Sequence, residues 1–421
     1  MENSGTQRRN ISPVIVAGTG HAGFGVAAAL REMGYAGRIV MIGDEPHRPY
    51  QRPPLSKGYL QGASDDAKLA MRSETFYAEK NLQLVLSRRL TALDRGRRCL
   101  VLDDGSEHEY GHLVLAVGAR NRPLRLPGVE LRGVHYLRTL EDARAIKGAL
   151  ASARNAVVVG AGFIGLEFAA TAAKLGLNVT VVEVADRALA RALTPEIAAI
   201  VAREHRSHGV RLMFSTEVRK MVGAEGAVVA VQIGGDVEIP ADLVVVGIGV
   251  LPNSELADAA GLVVRNGIVV DELLATSDPD ISAVGDCAAH PNAFAGGATV
   301  RIESVQNATD QARCLAARLV GKAAPYRSVP WFWSDQGNMK LQIAGLTAGY
   351  DQVVLRGSPD SAACSAFCFK QGQLLGVESL NKPGDHLTGR RLLAQHSSIT
   401  AAQAADEAFD LKSLAAANRD I

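Results

Sequence analysis

A glycine-rich turn near the start of the sequence constrains the fold more than any other feature. The apolar run Val14–Ala17 leads into three glycines in the pattern G-x-G-x-x-G, which are Gly18, Gly20 and Gly23, and an alanine-rich segment follows. Gly18 permits a tight turn from strand to helix, Gly20 lets another group approach the backbone, and Gly23 lets the helix pack against the strand. Such a turn presents a helix N-terminus, which favours an anion such as a dinucleotide pyrophosphate.

The residues after this turn complete a strand–helix–strand unit. A helix is predicted over residues 22–33, where Gly34 ends it, and a second strand over residues 38–42. Asp44 follows that strand, 21 residues after Gly23, which is about the spacing at which a carboxylate binds the ribose of a dinucleotide. The alternative for an isolated aspartate is a surface turn, and Glu45 is the second candidate for the ribose.

A second copy of the same plan begins with Gly160, which lies 142 residues after Gly18. The apolar run 157–159 enters another G-x-G-x-x-G turn, a helix ends at Gly176, and the strand 179–182 leads to an acidic residue. The candidate binding residues of this copy are Gly160, Gly162, Ile164, Gly165, Glu183 and Gly249. The sequence therefore predicts two dinucleotide sites, each with phosphate-binding glycines and a ribose carboxylate.

Matching hairpins support the repeat. Residues 97–110 and residues 228–233 are predicted to form hairpins, the first of which turns at Asp104-Gly105. Each hairpin precedes an apolar run, 113–117 or 243–246, of the kind found in strands that are buried on both faces of a parallel sheet. The chain therefore holds two copies of one unit of about 100 residues.

Two further candidate residues lie outside the glycine turns. Three prolines make the loop 48–57 stiff, and Lys57 at its end is a site candidate, although a single lysine is ordinarily solvated. The strand 281–284 leads into Gly285-Asp286, which places the Asp286 carboxylate at the carboxyl edge of a sheet, where ligands bind in open α/β folds. There Asp286 can accept a hydrogen bond from a ribityl hydroxyl, cap the following helix, or do both.

The chain changes character after Pro325. Alternating runs predict a third domain built on an antiparallel sheet, with strands over residues 341–343, 352–355, 365–369 and 374–379. Both tryptophans, Trp331 and Trp333, lie at its start on one face of a strand, and a core role is expected for Trp331. The segment 401–421 is alanine-rich and predicts a terminal helix.

Composition limits the classes of function. Lys plus Arg total 45 against 44 for Asp plus Glu, so no nucleic acid or membrane partner is expected, and any charged docking surface must be local. The five cysteines form no C-x-x-C pair and no metal cluster with histidine, which indicates free thiols and no metal site. Residues 1–13 lack the apolar core of a signal peptide, and no apolar run reaches about 18 residues, so we expect a loose tail on a cytoplasmic protein.

Five runs resemble a known family. They are RPPLSK at 52–57, VGAGFIGLE at 159–167, VGDC at 284–287, RIESV at 301–305 and PWFWSDQ at 330–336. These runs are similar to those of the FAD-containing, NADH-dependent ferredoxin reductases, and the likeness covers nearly the whole chain. It implies an α/β, glutathione-reductase-like fold with two Rossmann-type dinucleotide-binding domains and a C-terminal α+β domain with an antiparallel sheet. The implied boundaries are 1–118 and 250–327 for a discontinuous FAD-binding domain, 119–249 for an NAD-binding domain, and 328–421 for the C-terminal domain.

The resemblance also implies roles for single residues. It places FAD against Ala22, Asp44, Arg52, Lys57, Leu90, Arg138, Asp286 and Val305. The first glycine turn then serves FAD and the second serves NADH. Lys57 is expected close to the reactive flavin nitrogen and Glu167 near the nicotinamide, so these two are the catalytic candidates. These two residues would orient and polarise the flavin and the nicotinamide, because the flavin itself performs the redox chemistry.

The implied function is that of an NADH-dependent ferredoxin reductase. Electrons would pass from NADH to FAD and then singly to a [2Fe–2S] ferredoxin that supplies a cytochrome P450 or another oxygenase. Because such ferredoxins are acidic, Arg72 and Arg313 are expected as docking contacts; the alternative is that both arginines are simply solvated. The resemblance places Trp333 by the flavin on the ferredoxin side, near the electron's exit. A monomer or weak dimer is expected.

NADH is expected over NADPH, because Glu183 would repel a 2′-phosphate, although Arg187 and Arg191 lie nearby in the sequence and could weaken the preference.

Two other functions stay open at this point. An NADH oxidase would pass its electrons to oxygen. A flavin-bearing interaction protein that resembles apoptosis-inducing factor would turn over slowly and change its assembly with NADH. A disulfide reductase is disfavoured, because it needs a redox cysteine pair beside the flavin.

Overall fold

The structure of the protein, a computed structural model, describes residues 12–417. The predicted loose tail therefore lies outside the described residues, apart from Ser12 and Pro13. The chain forms two compact units. The first comprises residues up to 51 together with 70–119 and 252–328, and the second comprises residues 52–69, 120–251 and those from 329 onward.

Strands and helices alternate along most of the chain. The strands are β1 (Val14–Ala17), β2 (Ile39–Ile42), β3 (Leu82–Val85), β4 (Leu90–Asp94), β5 (Cys99–Leu102), β6 (Glu107–Glu109), β7 (His112–Leu115), β8 (Ala119–Asn121), β9 (Val134–Tyr136), β10 (Asn155–Val159), β11 (Asn178–Val182), β12 (Arg211–Met213), β13 (Val218–Ala224), β14 (Ala227–Ile233), β15 (Glu238–Pro240), β16 (Leu243–Val246), β17 (Val250–Pro252), β18 (Ile268–Val269), β19 (Ile281–Ala283), β20 (Ala288–Pro291), β21 (Thr299–Arg301), β22 (Trp331–Gln336), β23 (Met339–Gly345), β24 (Gln352–Ser358), β25 (Ala363–Lys370) and β26 (Gln373–Leu380). The α-helices are α1 (His21–Glu32), α2 (Asp66–Leu69), α3 (Glu74–Glu79), α4 (Leu140–Leu150), α5 (Phe163–Lys174), α6 (Pro195–Ser207), α7 (Glu255–Ala259), α8 (Val305–Leu319), α9 (Pro383–Ala394), α10 (Ala401–Ala405) and α11 (Leu411–Ala417).

The first unit is built on a five-stranded parallel sheet in the order β19-β7-β1-β2-β3. Every residue of β1 and β2 is buried, as expected for a parallel sheet that is covered on both faces. Helix α1 follows β1 and packs closely against α8, since a Cβ added at Gly25 would lie 2.9 Å from the Cβ of Ala312. The contact between these helices therefore requires a glycine.

The second unit repeats this plan. Its parallel sheet has the order β9-β16-β10-β11-β12, in which β10, β11, β12 and β16 take the places of β1, β2, β3 and β7. Each unit also carries a three-stranded antiparallel sheet, β4-β5-β6 in the first and β13-β14-β15 in the second. The repeat predicted from the sequence is confirmed, including both hairpins.

A five-stranded antiparallel sheet completes the second unit, in the order β22-β23-β26-β25-β24. Its core contains the fully buried rings of Phe367 and Phe369, which cluster with Leu392 of α9 and Ala404 of α10. Together with the two parallel sheets, this arrangement confirms the predicted fold class.

One local prediction is refined and another is wrong. The alanine-rich end is helical, as expected, but it forms two helices, because α10 and α11 are separated at Asp406 and Asp410, whose side chains accept hydrogen bonds from following backbone N–H groups. Such bonds compete with helix formation. Residues 418–421 of that segment lie outside the described residues. Trp331 is not a core residue, because it is only partly buried on the edge strand β22.

Within residues 12–417, no helix has both the length and the apolar character needed to cross a membrane. The same part of the chain holds no group of three or more His, Cys, Asp or Glu side chains placed to bind a metal ion.

Candidate functional site

The first glycine turn has the geometry of a phosphate-binding cradle. Gly18 lies at φ +117°, and a Cβ there would sit 2.1 Å from the carbonyl oxygen of Ala116. A Cβ at Gly23 would sit 2.0 Å from the carbonyl oxygen of Gly18, so α1 can approach β1 only through a glycine. A Cβ at Gly20, in contrast, would meet no atom of residues 12–417 within 4 Å. The middle glycine therefore faces open space at the N-terminus of α1.

The second turn has the same construction. Gly160 lies at φ +104° against the carbonyl oxygen of Gly247, and a Cβ at Gly165 would sit 2.3 Å from the carbonyl oxygen of Gly160. Within the part of the chain that the structure describes, a Cβ added at Gly162 would have one neighbour, the Gly247 oxygen at 3.7 Å. Ile164 on the first turn of α5 is exposed, as is expected of a residue that faces a ligand site.

Both cradles fit a dinucleotide. In each of them, the outer two glycines are required by the protein's own backbone, whereas the middle glycine leaves room for a group that approaches from outside. A pyrophosphate is such a group, and the N-terminus of α1 or α5 favours its negative charge.

The predicted ribose carboxylates differ in their surroundings. Asp44 is largely exposed after β2, with Arg89 at 3.9 Å, so its carboxylate is accessible. Glu45, the second candidate, accepts a hydrogen bond from the hydroxyl of Tyr50 at 2.6 Å and is therefore already engaged. Glu183 follows β11 and accepts hydrogen bonds from the backbone N–H groups of Ala161 and Ala185.

A third glycine turn lies beside the first cradle. Gly285 lies at φ +76°, and a Cβ there would sit 2.8 Å from the Cβ of Ala22. Its N–H donates to Oε1 of Gln311 on α8 at 2.7 Å, which fixes the turn that carries Asp286. Val305, another FAD candidate, is the first residue of α8. The first unit therefore brings Asp286 and Ala22 together. Leu90 lies apart from them in sequence, at the start of β4, where it packs on the core.

Several candidates for the second unit are also brought together. The Arg52 guanidinium donates to the carbonyl oxygen of Arg138 at 2.8 Å, and the Arg138 N–H donates to Asp142 at the start of α4. Gly249 lies at φ +99°, and a Cβ there would sit 3.4 Å from the guanidinium of Arg191.

The catalytic candidates Lys57 and Glu167 are in direct contact. Lys57 follows the 3₁₀ turn Pro53–Ser56, and Glu167 lies in the first half of α5. The Lys57 ammonium donates to Oε1 of Glu167 at 2.8 Å, and it lies 3.9 Å from Oδ2 of Asp335. Side-chain exposure is 4% for Glu167 and 19% for Lys57, so the pair is shielded from water and Lys57 is at its open side.

The groups that hold Glu167 were missed by the sequence analysis. Ser56 donates to its Oε2 and Ser334 to its Oε1, each at 2.5 Å. Gln336 donates to the Ser334 hydroxyl at 2.7 Å, and its Oε1 lies 3.1 Å from Nε2 of His205. The two serines and the glutamine belong to runs that the resemblance had singled out, whereas His205 on α6 carried no such signal.

Strand β22 has two different faces. Phe332 points to α5, where its ring lies 4.5 Å from that of Phe163, and Ser334 and Gln336 are buried on the same side. The opposite face lines an open groove of about 360 Å³, which we call the tryptophan groove, formed by Trp331, Trp333, Asp335, Lys340 and Gln342. The two indole rings are 5.6 Å apart. Trp333 is therefore available at the surface of the second unit.

The two predicted docking arginines lie on the first unit, and both are exposed. The Arg72 guanidinium stacks over the rings of Phe24 and Phe76, at 5.9 and 5.6 Å from their centroids. Arg313 on α8 pairs with Glu32 on α1 at 3.1 Å, so part of its charge is compensated.

Comparison with known proteins identifies the family. Residues 12–312 match the family described as pyridine nucleotide-disulphide oxidoreductase, and residues 331–415 match the reductase C-terminal family. The chain is a pyridine nucleotide-disulphide oxidoreductase by family. Members of this family use FAD and NAD(H), which the two cradles fit.

Similar proteins cover nearly the whole chain. Rhodocoxin reductase from Rhodococcus erythropolis is 51% identical over 407 residues, which are 97% of this chain and 95% of that protein. The ferredoxin reductase for the CYP199A2 system from Rhodopseudomonas palustris is 52% identical, with a TM-score of 0.93 over 96% of this chain and 99% of that one. The reductase in the covalent putidaredoxin reductase–putidaredoxin complex is 40% identical, with a TM-score of 0.94 over 97% of this chain and 99% of that one.

This pyridine nucleotide-disulphide oxidoreductase has no cysteine pair suited to disulfide chemistry. All five cysteines fall within the described residues and are free, and four of them are buried. Burial raises the pKa of the Cys287 thiol to about 11 and also raises that of the partly buried Cys314. Such thiols are poor nucleophiles because they form little thiolate. The prediction that the cysteines are free thiols is confirmed.

Proposed function

We propose that this chain is an NADH-dependent ferredoxin reductase. In the overall reaction, one NADH and two oxidised ferredoxins yield NAD⁺, two reduced ferredoxins and one proton. The observation that carries the proposal is the pair of equivalent dinucleotide cradles in one chain, built on Gly18 to Gly23 and on Gly160 to Gly165. The similar proteins named above support it, because each is described as a reductase and two are described with a ferredoxin-type partner or system.

The first cradle would hold FAD and the second NADH. The turn at Asp286 supports this assignment, because it lies beside Ala22 of the first cradle and offers a carboxylate for a ribityl hydroxyl. We also propose the domain boundaries 1–118 with 250–327 for FAD, 119–249 for NAD, and 328–421 for the C-terminal domain. FAD held there would supply the redox chemistry that links a two-electron donor to a one-electron acceptor.

The residues of this chain would orient the reactants. The Lys57 ammonium, held by Glu167, presents a fixed positive charge at the edge of a shielded pair, and such fixed charges are effective because they need no reorganisation during the reaction. Glu183 would accept hydrogen bonds from the ribose of NADH. Ile164 and Gly249 would border the same dinucleotide at the second cradle.

The partner would be a [2Fe–2S] ferredoxin that supplies a cytochrome P450 or another oxygenase. Arg72 and Arg313 would attract its acidic surface, and Trp333 in the tryptophan groove would lie near the electron's exit. We propose a monomer or weak dimer in the cytoplasm, where the reducing environment suits five free cysteines.

One steady-state experiment separates the reductase from its alternatives. The purified protein is assayed with NADH and, in turn, a [2Fe–2S] ferredoxin, oxygen or a low-molecular-weight disulfide as electron acceptor. We expect the ferredoxin to be reduced at least about tenfold faster than either of the others. Faster reduction of oxygen would instead favour an NADH oxidase. Slow reduction of every acceptor, with NADH-dependent dimerisation, would favour the interaction protein.

A further inference from the structure

The carboxylate of Glu167 is held by more donors than an ion pair requires. Both of its oxygens accept a serine hydroxyl, from Ser56 on one side and Ser334 on the other, and Oε1 also accepts the Lys57 ammonium. Ser56 is 2% exposed and Ser334 is fully buried. Because a carboxylate only accepts hydrogen bonds, each serine hydroxyl donates its one proton to Glu167.

Ser56, Ser334, Gln336 and His205 form a hydrogen-bonded array around Glu167. The orientation of the Gln336 amide decides which groups donate in the part of this array behind Ser334. Its Nε2 lies 3.3 Å from the carbonyl oxygen of Phe163, which can only accept, so the amide nitrogen faces Phe163 and Ser334. Its oxygen then faces Nε2 of His205, which must donate. Burial lowers the pKa of His205, so its ring is neutral near pH 7 with the proton on Nε2. The bonds from His205 to Gln336, from Gln336 to Ser334 and from Ser334 to Glu167 therefore all run towards Glu167, while the second N–H of Gln336 is held by Phe163.

Hydrogen bonds that point the same way strengthen one another, and donors to a carboxylate stabilise its ionised form. A buried carboxylate without such donors is costly to keep charged. The array therefore holds the Glu167 carboxylate in one rotamer, and it holds the Lys57 ammonium against Oε1.

We propose that Ser56 and Ser334 are positioning residues for the Lys57–Glu167 pair, with Gln336 and His205 completing the array behind Ser334. This inference rests on the proposed function, in which Lys57 and Glu167 orient the reactants. Removing the Ser334 hydroxyl releases Oε1 from β22, so the oxygen that holds Lys57 is no longer fixed in place. Removing the Ser56 hydroxyl frees Oε2 and lets the carboxylate rotate.

The test compares the holoenzyme with its Ser334→Ala, Ser334→Thr and Ser56→Ala variants by two measurements. The first is the rate at which an amine-reactive reagent labels Lys57, followed by mass spectrometry, because labelling requires the amine to leave Glu167. The second is the rate constant of flavin reduction at saturating NADH. We expect each alanine variant to label Lys57 about fivefold faster and to be reduced about tenfold more slowly, as for one lost charge-assisted hydrogen bond.

Conservative and more distant variants sharpen the comparison. Ser334→Thr keeps the hydroxyl and is expected to remain near the wild type in both measurements. Gln336→Met removes the donor behind Ser334 and is expected to slow reduction by a smaller factor, about threefold.

A matched control is Ser365→Ala. Ser365 is fully buried in the same antiparallel sheet, and its hydroxyl donates to the carboxylate of Asp385 at 3.0 Å, but it has no bond to Glu167. Its loss should leave Lys57 labelling and flavin reduction unchanged.

The proposal is wrong if both alanine variants label and reduce at wild-type rates, or if Ser365→Ala has the same effects as they do. If Ser334→Ala does not fold, Ser56→Ala decides alone, because Ser56 acts on the other oxygen. The proposed function can fail separately: a wild-type enzyme that does not reduce ferredoxin would refute it, while Lys57 labelling would still decide the positioning role.

Discussion

The carboxylate of Glu183 accepts a hydrogen bond at 2.7 Å from the backbone N–H of Ala161, the residue between the first two glycines of the second cradle. Its other oxygen accepts the N–H of Ala185 at 2.8 Å. Both oxygens are therefore anchored, and a negative charge is fixed beside the phosphate-binding turn. A dinucleotide in this cradle would present its adenosine ribose to that charge.

We expect this charge to select NADH over NADPH by more than about tenfold in kcat/KM, which corresponds to about 1.4 kcal/mol. Of the two nearby arginines, Arg187 already binds the side chain of Asp186 and the carbonyl oxygen of Ala190, and so has less capacity to attract a 2′-phosphate. Glu183→Gln keeps an acceptor for Ala161 but removes the charge. The ratio of kcat/KM with NADH to kcat/KM with NADPH should therefore fall severalfold. Equal kcat/KM values for the two cofactors in the wild type would refute this role.

The two cradles should fail in different ways when their middle glycines are replaced. Gly20→Leu fills the open space of the first cradle and should give a folded, colourless protein without FAD. Gly162→Leu should stay yellow but lose reduction by NADH. The control is Gly148→Leu on α4, where an added Cβ also meets none of the described atoms within 4 Å. This variant should keep its colour and its reduction by NADH. The reverse pattern between the two cradles would exchange the cofactor assignment.

Ferredoxin docking should depend on Arg313. Arg313→Glu should lower the rate of ferredoxin reduction severalfold at low salt. The difference between the variant and the wild type should become smaller at high salt, because salt screens the charge. Reduction of ferricyanide by NADH should be unchanged in the variant. Arg97→Glu is a matched control, because Arg97 is as exposed as Arg313 and also pairs with a glutamate. Unchanged ferredoxin reduction by the Arg313 variant at low salt would place the docking surface elsewhere.

The fully buried Glu378 should make stability depend on pH. It accepts two hydrogen bonds from Thr194, but burial outweighs them and raises its pKa from 4.5 to about 7. A raised carboxyl pKa adds stability that is complete below about pH 4.5 and is lost as the pH rises through about 7.

Glu378→Gln removes this titration, so the variant should not lose stability as the pH rises. The free energy of unfolding of the variant minus that of the wild type should therefore increase by up to about 3 kcal/mol from about pH 5 to about pH 8. Urea unfolding at the two pH values measures the gain. The same difference between variant and wild type at both pH values would contradict the role of Glu378.

The fold was predictable because its signals are local. The glycine turns, the acids after β2 and β11, and both hairpins follow from spacing along the chain, and the structure has each of them. The partners of Glu167 could not be found in this way. Ser56, Ser334 and His205 are far apart in the sequence. They come together only when the turn Pro53–Ser56 and β22 pack on α5, and Gln336 of β22 meets His205 on α6.

Two other features depended on tertiary context. Trp331 was expected in the core, yet β22 is an edge strand and one of its faces is open. The alanine-rich end favours a helix residue by residue, but the side chains of Asp406 and Asp410 bind the backbone and interrupt it.

The most direct test of the proposed function is an anaerobic titration of the purified yellow protein with NADH in the presence of excess oxidised [2Fe–2S] ferredoxin. Reduced ferredoxin is counted from the loss of its visible absorbance. We expect each NADH to yield two reduced ferredoxins, and we expect no ferredoxin to be reduced when the Gly20→Leu protein, which should lack FAD, replaces the wild type. Bleaching of the flavin by NADH without reduction of ferredoxin would contradict the proposed function.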